Sequence, residues 1–282
     1  MRTDGDFSAV HDLVGDLSLH TVCQSARCPN IHECWGQGTA TLMLLGDICT
    51  RDCAFCAIKA GRPVELDAGE PSRVAEAAAK MNLSHVVLTS VARDDLDDGG
   101  SSIFAATIRS IQEMLPDATI EVLTPDFGGD EDSIRKVLEA GPDVYNHNVE
   151  TVRRLQSVIR PQAAYGRSLG VLRAASRWDP APAVKSGVML GLGESEPELI
   201  ATFRDLLKVG CELLTLGQYL QPTRNHAAVR RYAPPEEFDR LRDVALEMGF
   251  AGVASGPMVR SSYKAEELLA QAMQRRGTRI HA

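Results

Sequence analysis

Six of the seven cysteines lie between residues 23 and 56, in two groups of three: Cys23, Cys28, Cys34, then Cys49, Cys53, Cys56. The second group reads Cys49-Thr-Arg-Asp-Cys53-Ala-Phe-Cys56, a C-x3-C-x2-C pattern. Thiols this dense must be brought to shared centres, and the fold has to be built around that requirement. A disulfide uses two cysteines and a closed zinc site four, so triads suit neither. Zinc ribbons carry two C-x2-C pairs, whereas only Cys53 and Cys56 have that spacing. Disulfide frameworks belong to small secreted domains, not to a 282-residue chain with an odd cysteine count. An iron–sulfur cubane held by three thiolates leaves one iron open, and an open iron can bind a reacting molecule. Two tandem triads therefore point to two [4Fe–4S] clusters, each with an open or unusual fourth position. Cys211 stands alone beside an apolar run and reads as a small core residue.

Beyond the triads, strand-like and helix-like segments alternate. Phe7, Val10, Val14 and Leu17 recur at helical spacing after a frayed start over Met1–Asp6. Short apolar runs follow at Ala40–Leu45, Val86–Val91, Ile120–Leu123, Val144–Tyr145, Gly187–Leu190 and Leu213–Tyr219. Helical patterns lie near Arg73–Met81, Ile103–Leu115, Ser133–Ala140, Val152–Ile159, Pro197–Val209 and Glu236–Met248. Ser195 with Glu198 forms a capping box before the fifth of these, and Gly210 ends it. Such alternation predicts an α/β fold with a parallel sheet. The periodicity alone leaves a partial barrel and an open doubly wound sheet as alternatives. Gly191-Leu-Gly193 lacks the third glycine of a dinucleotide fingerprint.

The C-x3-C-x2-C loop, with Phe55 before its last cysteine, resembles the signature of the radical S-adenosylmethionine (SAM) superfamily. The segment from His20 through Cys34-Trp35 is similar to the N-terminal triad of the lipoyl synthase family. So are Leu88–Gly100, Glu121–Asp126, Asn146–Glu150, Lys185–Gly187, Gly217–Pro222 and Gly256–Tyr263. The likeness runs from about residue 7 to residue 266, and Arg260-Ser-Ser-Tyr263 together with both triads makes it specific. Ala92 and Asn225 depart from it, standing where Asp and Lys are expected. The resemblance implies a partial (β/α)6 barrel of the triosephosphate-isomerase type over 39–255. Flanking segments 1–38 and 256–282 would carry an auxiliary iron–sulfur cluster. It further implies a [4Fe–4S] cluster on Cys49, Cys53 and Cys56 whose open iron binds SAM, and an auxiliary cluster on Cys23, Cys28 and Cys34 that donates sulfur. The fourth auxiliary ligand would be Ser262, with Ser261 the near alternative. Phe55, Ser90, Asn148, Glu150 and Arg160 would contact SAM, and Arg160 or Arg167 could clamp a carboxylate.

The implied activity is insertion of two sulfur atoms at C6 and C8 of a protein-bound octanoyl-lysine. Two rivals are another sulfur-inserting radical SAM enzyme and a non-catalytic iron–sulfur electron carrier. A biotin synthase would lack the upstream triad, and a carrier would need neither open iron nor barrel. Expected partners are an octanoylated lipoyl-carrier domain, a flavodoxin- or ferredoxin-type electron donor and an iron–sulfur cluster carrier. A formal charge of −8 argues against nucleic acid. No apolar run is long enough to span a bilayer. With no signal peptide read at Met1, a reducing, cytoplasmic setting is expected. Local basic groups occur at Arg224, Arg230 and Arg231 and, as solvated surface, at Arg275 and Arg276. The acidic turn Asp94, Asp95, Asp97, Asp98 reads as a solvated loop with helix N-terminal charge.

Overall fold

The computed structural model describes residues 4–280, with side chains described for 7–274. The chain divides into two compact units, residues 1–52 with 56–143, and residues 53–55 with 144–282. The Arg275/Arg276 pair and residues 1–3 of the expected frayed start lie outside this description. Asp4–Asp6 are not frayed: they open a helix.

In the first unit, α1 (Asp4–Asp16) buries Val10 and Val14 at the expected helical spacing. Phe7 stacks on His32 with ring centroids 5.0 Å apart and tilts against Trp35 at 5.1 Å. Strands β1 (Thr41–Leu44), β2 (His85–Ser90) and β3 (Thr119–Leu123) run parallel in that order. Thr41 pairs with Val87 and His85 with Thr119, so Leu44, Ser90 and Leu123 finish at the same end. A short strand, His20–Thr21, adds antiparallel to β1. All four β1 residues are buried, as expected of a strand covered on both faces. Helices α2 (Glu70–Lys80), α3 (Ser101–Met114) and α4 (Glu131–Glu139) alternate with the strands. Asp98 caps α3, accepting from the Gly100 and Ser102 N–H groups at 2.9 Å each. Burial opposes its ionisation, but these bonds, the Ser102 hydroxyl and Lys136 hold its carboxyl well below the usual range.

The second unit repeats the pattern. Strands β4 (Val144–Asn146), β5 (Ala183–Leu190), β6 (Leu213–Gln218) and β7 (Gly252–Gly256) are parallel neighbours in sequence order. Helices α5 (Tyr165–Ser176), α6 (Glu196–Lys208), α7 (Pro235–Met248) and α8 (Ala265–Ile280) lie between and after them. The capping box at Ser195 and Glu198 is present, and Cys211 is a core residue, 1% exposed. Leu268, Leu269 and Ala272 of α8 pack with Leu213 of β6. Some expectations need correction. The helix read over Val152–Ile159 is only a 3-10 turn, Arg153–Leu155, and one α turn, Gln156–Ile159. The Gln156 amide bonds the Val149 and Thr151 carbonyls, and Pro161 follows, so nothing propagates a longer helix. The strand read from Gly187 begins at Ala183. Strand β7 and helices α5 and α8 were not expected.

The acidic turn is more structural than expected. Arg51 Nε and Nη2 grip Asp94 at 2.8 and 2.6 Å, and Nη2 also reaches Asp126 at 2.6 Å. The Arg51 side chain is 6% exposed and that of Asp126 0%. Burial alone would weaken the guanidinium's hold on its proton, yet the two carboxylates raise its pKa above the ordinary value. Asp95 likewise forks onto Arg93 through two 2.9 Å bonds. Removing one partner of a buried pair strands a charge, at a cost of about 3–5 kcal/mol. Arg51→Met should therefore lower the anaerobic urea midpoint sharply. The double variant Arg51→Met/Asp126→Asn should recover part of that loss; simple additivity of the two single changes would refute this account.

Candidate metal and cofactor site

The first triad lies on and between two short helical turns, Val22–Ser25 and Ile31–Gly36, and α1 packs against the second. Thr21 caps the first turn by accepting from Gln24 N. The Cys28 N–H bonds the Cys23 carbonyl at 3.0 Å, and the Cys34 N–H bonds Asn30 O at 2.9 Å. These local bonds gather the three thiols. Burial pushes the Cys34 thiol up to about 11, with Cys23 and Cys28 adding to the rise through like charge. Burial also raises Cys23, opposed by the Thr41 N–H and the Trp35 indole. Trp35 is fully buried, and its Nε1–H has no conventional hydrogen-bond partner among the described residues. An indole N–H turned toward the buried Cys23 sulfur suits a site where anionic sulfur gathers.

The second triad divides between the units: Cys49 and Cys56 belong to the first, Cys53 to the second. Leu45 and Gly46, both at positive φ, turn the chain out of β1. Ile48–Cys49 then pairs in parallel with Lys59–Ala60, closing the base of the loop. Cys49 Sγ accepts two backbone N–H groups, from Ala92 at 3.3 Å and Arg51 at 3.4 Å. These two bonds fix where the sulfur sits. Ala92 contributes only its backbone here, and its carbonyl accepts from the Thr50 N–H at 3.0 Å. That explains why an alanine is tolerated at this departure from the family pattern. Among the described residues no three His, Cys, Asp or Glu side chains converge on a single metal ion. Thiolates that bind different irons of one cubane need not converge on a point. The donor sets, soft thiols beside N–H groups, fit iron–sulfur clusters.

In the second unit, Phe55 packs against an apolar cluster of Ile159, Leu192 and Tyr219. The Ala54 N–H bonds Ile159 O at 2.9 Å, anchoring the middle of the motif. Asn148 and Glu150 follow β4. Glu150 has φ +64, a strained value for a residue with a side chain. Its backbone is fixed by β5, with its N–H on Gly187 O at 2.9 Å and its carbonyl on the Met189 N–H at 2.8 Å. Burial raises the Glu150 carboxyl, against the pull of Arg160 and Asn148. The Asn148 amide donates to Glu150 Oε1 at 3.1 Å and to Ser261 Oγ at 2.6 Å. Its Oδ1 is buried with no partner among the described residues. Gly187 makes the room, since a Cβ there would lie 2.7 Å from that oxygen. Arg160 bonds the Asn148 and Val149 carbonyls at 2.9 and 3.2 Å, so it braces the segment that carries Asn148 and Glu150. Arg167 reaches the Gln162 carbonyl at 3.4 Å.

Thus the structure gathers Cys23, Cys28 and Cys34 in one unit, and Asn148, Glu150, Arg160 and Ser261 in the other. Ser90 ends β2 with a buried hydroxyl that has no partner among the described residues. Ser262 lies in the turn after Arg260, where the Tyr263 N–H bonds the Arg260 carbonyl at 3.0 Å. Sequence reasoning missed Glu194, whose buried carboxylate accepts the Gly191 and Leu192 N–H groups at 2.7 and 2.9 Å. The Gly-x-Gly-Glu spacing was the available signal. It also missed Arg51 and Trp35, which lie inside or beside the triads.

The model of the radical SAM superfamily matches residues 43–206. The lipoyl synthase of Rubrobacter xylanophilus is 57% identical over 93% of this chain and 81% of its own. That of Symbiobacterium thermophilum is 54% identical over 98% and 86%, and that of Bacillus subtilis 48% over 98% and 93%. Among solved structures, the [FeFe]-hydrogenase maturase HydG aligns with a TM-score of 0.60 at 15% identity, covering 96% of this chain and 67% of that one. Methylornithine synthase (PylB) gives 0.54 at 15%, covering 86% and 73%; both likenesses concern the fold, a radical SAM α/β fold with a mostly parallel sheet. On a family match over more than half its length and relatives this similar over nearly all of it, the chain belongs to the radical SAM superfamily and, within it, to the lipoyl synthase family.

Proposed function

We propose that this chain inserts sulfur at C6 and C8 of an octanoyl chain in amide linkage to a lysine of a carrier domain. The observation that carries the reading is the pair of cysteine triads, together with Arg260-Ser-Ser-Tyr263, in a chain of this family. Cys49, Cys53 and Cys56 would hold one [4Fe–4S] cluster, and Cys23, Cys28, Cys34 and Ser262 a second. When bound, SAM and these clusters supply a 5′-deoxyadenosyl radical and sulfide, which unactivated C–H bonds demand because no general base can remove their hydrogen.

The chain's own residues bind, orient and exclude water. The backbone N–H groups of Arg51 and Ala92 steady the Cys49 thiolate. Asn148 Oδ1 and Glu150 present acceptors suited to the ammonium or ribose hydroxyls of SAM, and Arg160 holds the loop that carries them. Ser90 offers a further polar contact and Phe55 an apolar one. Ser261 accepts from the Asn148 amide, and the resemblance to the family assigns the auxiliary ligand to Ser262. Oxygen is a harder ligand than thiolate, so an iron held by Ser262 would leave more readily, as a dismantled sulfur source requires. Residues 1–38 and 256–282 would form the auxiliary extensions. An electron donor of flavodoxin or ferredoxin type and an iron–sulfur cluster carrier are the further partners, in the cytoplasm. No described helix is long and apolar enough to cross a membrane.

Two predictions test this reading. Anaerobic reconstitution should give about eight irons per chain, four per cubane, with matching acid-labile sulfide; stoichiometric zinc without labile sulfide would defeat it. With an octanoyl-lysine peptide, SAM and dithionite, wild-type protein should yield 5′-deoxyadenosine and dithiolated peptide by mass analysis. Cys53→Ala should abolish both products. Cys28→Ala and Ser262→Ala should keep SAM cleavage while losing most thiolation. A Ser262→Ala protein that thiolates at the wild-type rate would remove that serine from the site.

A further inference from the structure

Residues 219–234 join β6 to α7 without secondary structure of their own. Connections this long are uncommon inside compact domains and usually serve a function. This one is held in a fixed shape. Tyr219 Oη donates to Ala227 O at 2.7 Å, and Gln221 Nε2 to His226 O at 2.9 Å. The Thr223 hydroxyl meets His226 Nδ1 at 2.8 Å. Gln218 of β6 clasps the far end, donating to Arg231 O at 3.1 Å and accepting the Ala233 N–H at 2.9 Å. The Arg230 N–H bonds Gly191 O at 2.8 Å, and the Ala227 N–H bonds Ala54 O at 2.7 Å. The loop is therefore tied to the C-x3-C-x2-C motif itself.

Its chemistry contrasts with the rest of the chain. The protein carries a formal −8, yet residues 219–235 contain no Asp or Glu and include Arg224, His226, Arg230 and Arg231. Arg231 is committed to Glu237 through 2.7 and 2.8 Å bonds. Arg224 and Arg230 are exposed and make no ion pair among the described residues. Tyr232 is 71% exposed and Leu220 38%, adding apolar area beside the charges. At physiological salt the Debye length is about 8 Å, so the distant negative charge is screened and this local field decides what can approach. Guanidinium groups held ready on a rigid loop suit carboxylates, and exposed Tyr and Arg are favoured as interface anchors.

We propose that the 219–234 loop docks the carrier domain through an acidic face around its octanoyl-lysine. Arg224 and Arg230 pair with carboxylates, and Tyr232 and Leu220 cover the apolar part. This rests on the reading that the substrate is carrier-bound. The loop's bond to Ala54 would set the docked carrier beside the motif that binds SAM, within reach of a lysine-borne acyl chain.

The test uses holoenzyme with dithionite, so that no protein electron donor is needed. Two substrates are compared, an octanoylated carrier domain and a neutral octanoyl-lysine tripeptide. For Arg224→Glu/Arg230→Glu, KM for the carrier should rise tenfold or more, with kcat nearly unchanged and a flatter salt dependence. The tripeptide's kinetics should stay within twofold of wild type. Calorimetric titration of the carrier should show the same weakening as the carrier KM. Arg109→Glu, a charge reversal at an exposed position on α3, should leave all of these unchanged. An unaltered carrier KM and affinity in the double variant would overturn the proposal. So would equal losses on both substrates, or an Arg109→Glu variant as impaired as the double variant. If wild-type enzyme thiolates neither substrate, the function reading fails, while the calorimetric comparison still decides whether this loop binds the carrier.

Discussion

The guanidinium of Arg51 is almost wholly removed from water, a state tolerable only because Asp94 and Asp126 meet it with short, directed hydrogen bonds. Those two carboxylates come from the turns that follow β2 and β3, whereas Arg51 follows β1. One side chain thus fixes three strand ends of the first unit against each other. The Cys49 sulfur inherits its position from this arrangement, since its two N–H donors belong to Arg51 and to Ala92, two residues before Asp94. Without that charge network the loop would lose its anchor, and the sulfur its two backbone donors.

The second unit reaches a comparable end by different means. There the fixed point is a strained backbone. Glu150 is held at positive φ by pairing with β5 on both sides, and Asn148 spreads one amide between Glu150 and Ser261. Hydrogen bonds to the strand leave no relaxed alternative for the residue, so the strain persists where a ligand can use it. Asn148 Oδ1 is left buried without a partner among the described residues, an acceptor held in place by this backbone.

Much of this was legible in the sequence. Cysteine count and spacing carry the metal chemistry directly, because ligand number is a covalent fact that folding does not alter. Strands β1, β2 and β6 were plain because burial on both faces demands unbroken apolar runs. Strand β7, Gly252-Val-Ala-Ser-Gly256, was not, since two glycines and a serine carry little apolar signal and its pairing with β6 supplies the reason to be a strand. Arg51 escaped notice because its partners lie 43 and 75 residues away, and no local pattern announces a long-range ion pair. The same distance hides the link between Asn148 and Ser261.

Gly217 gives the fold a further property. It is the next-to-last residue of β6, and a Cβ there would stand 2.2 Å from the Val259 carbonyl oxygen. A single missing carbon in a strand is what lets the Arg260–Tyr263 turn lie against the sheet. Adding that carbon would leave the strand's own pairing intact and push aside a serine more than forty positions away in the chain. Mutational damage at this strand would then read out first in the position of that turn, before any loss of fold. The sheet acts here as a gauge that sets the height of a distant turn.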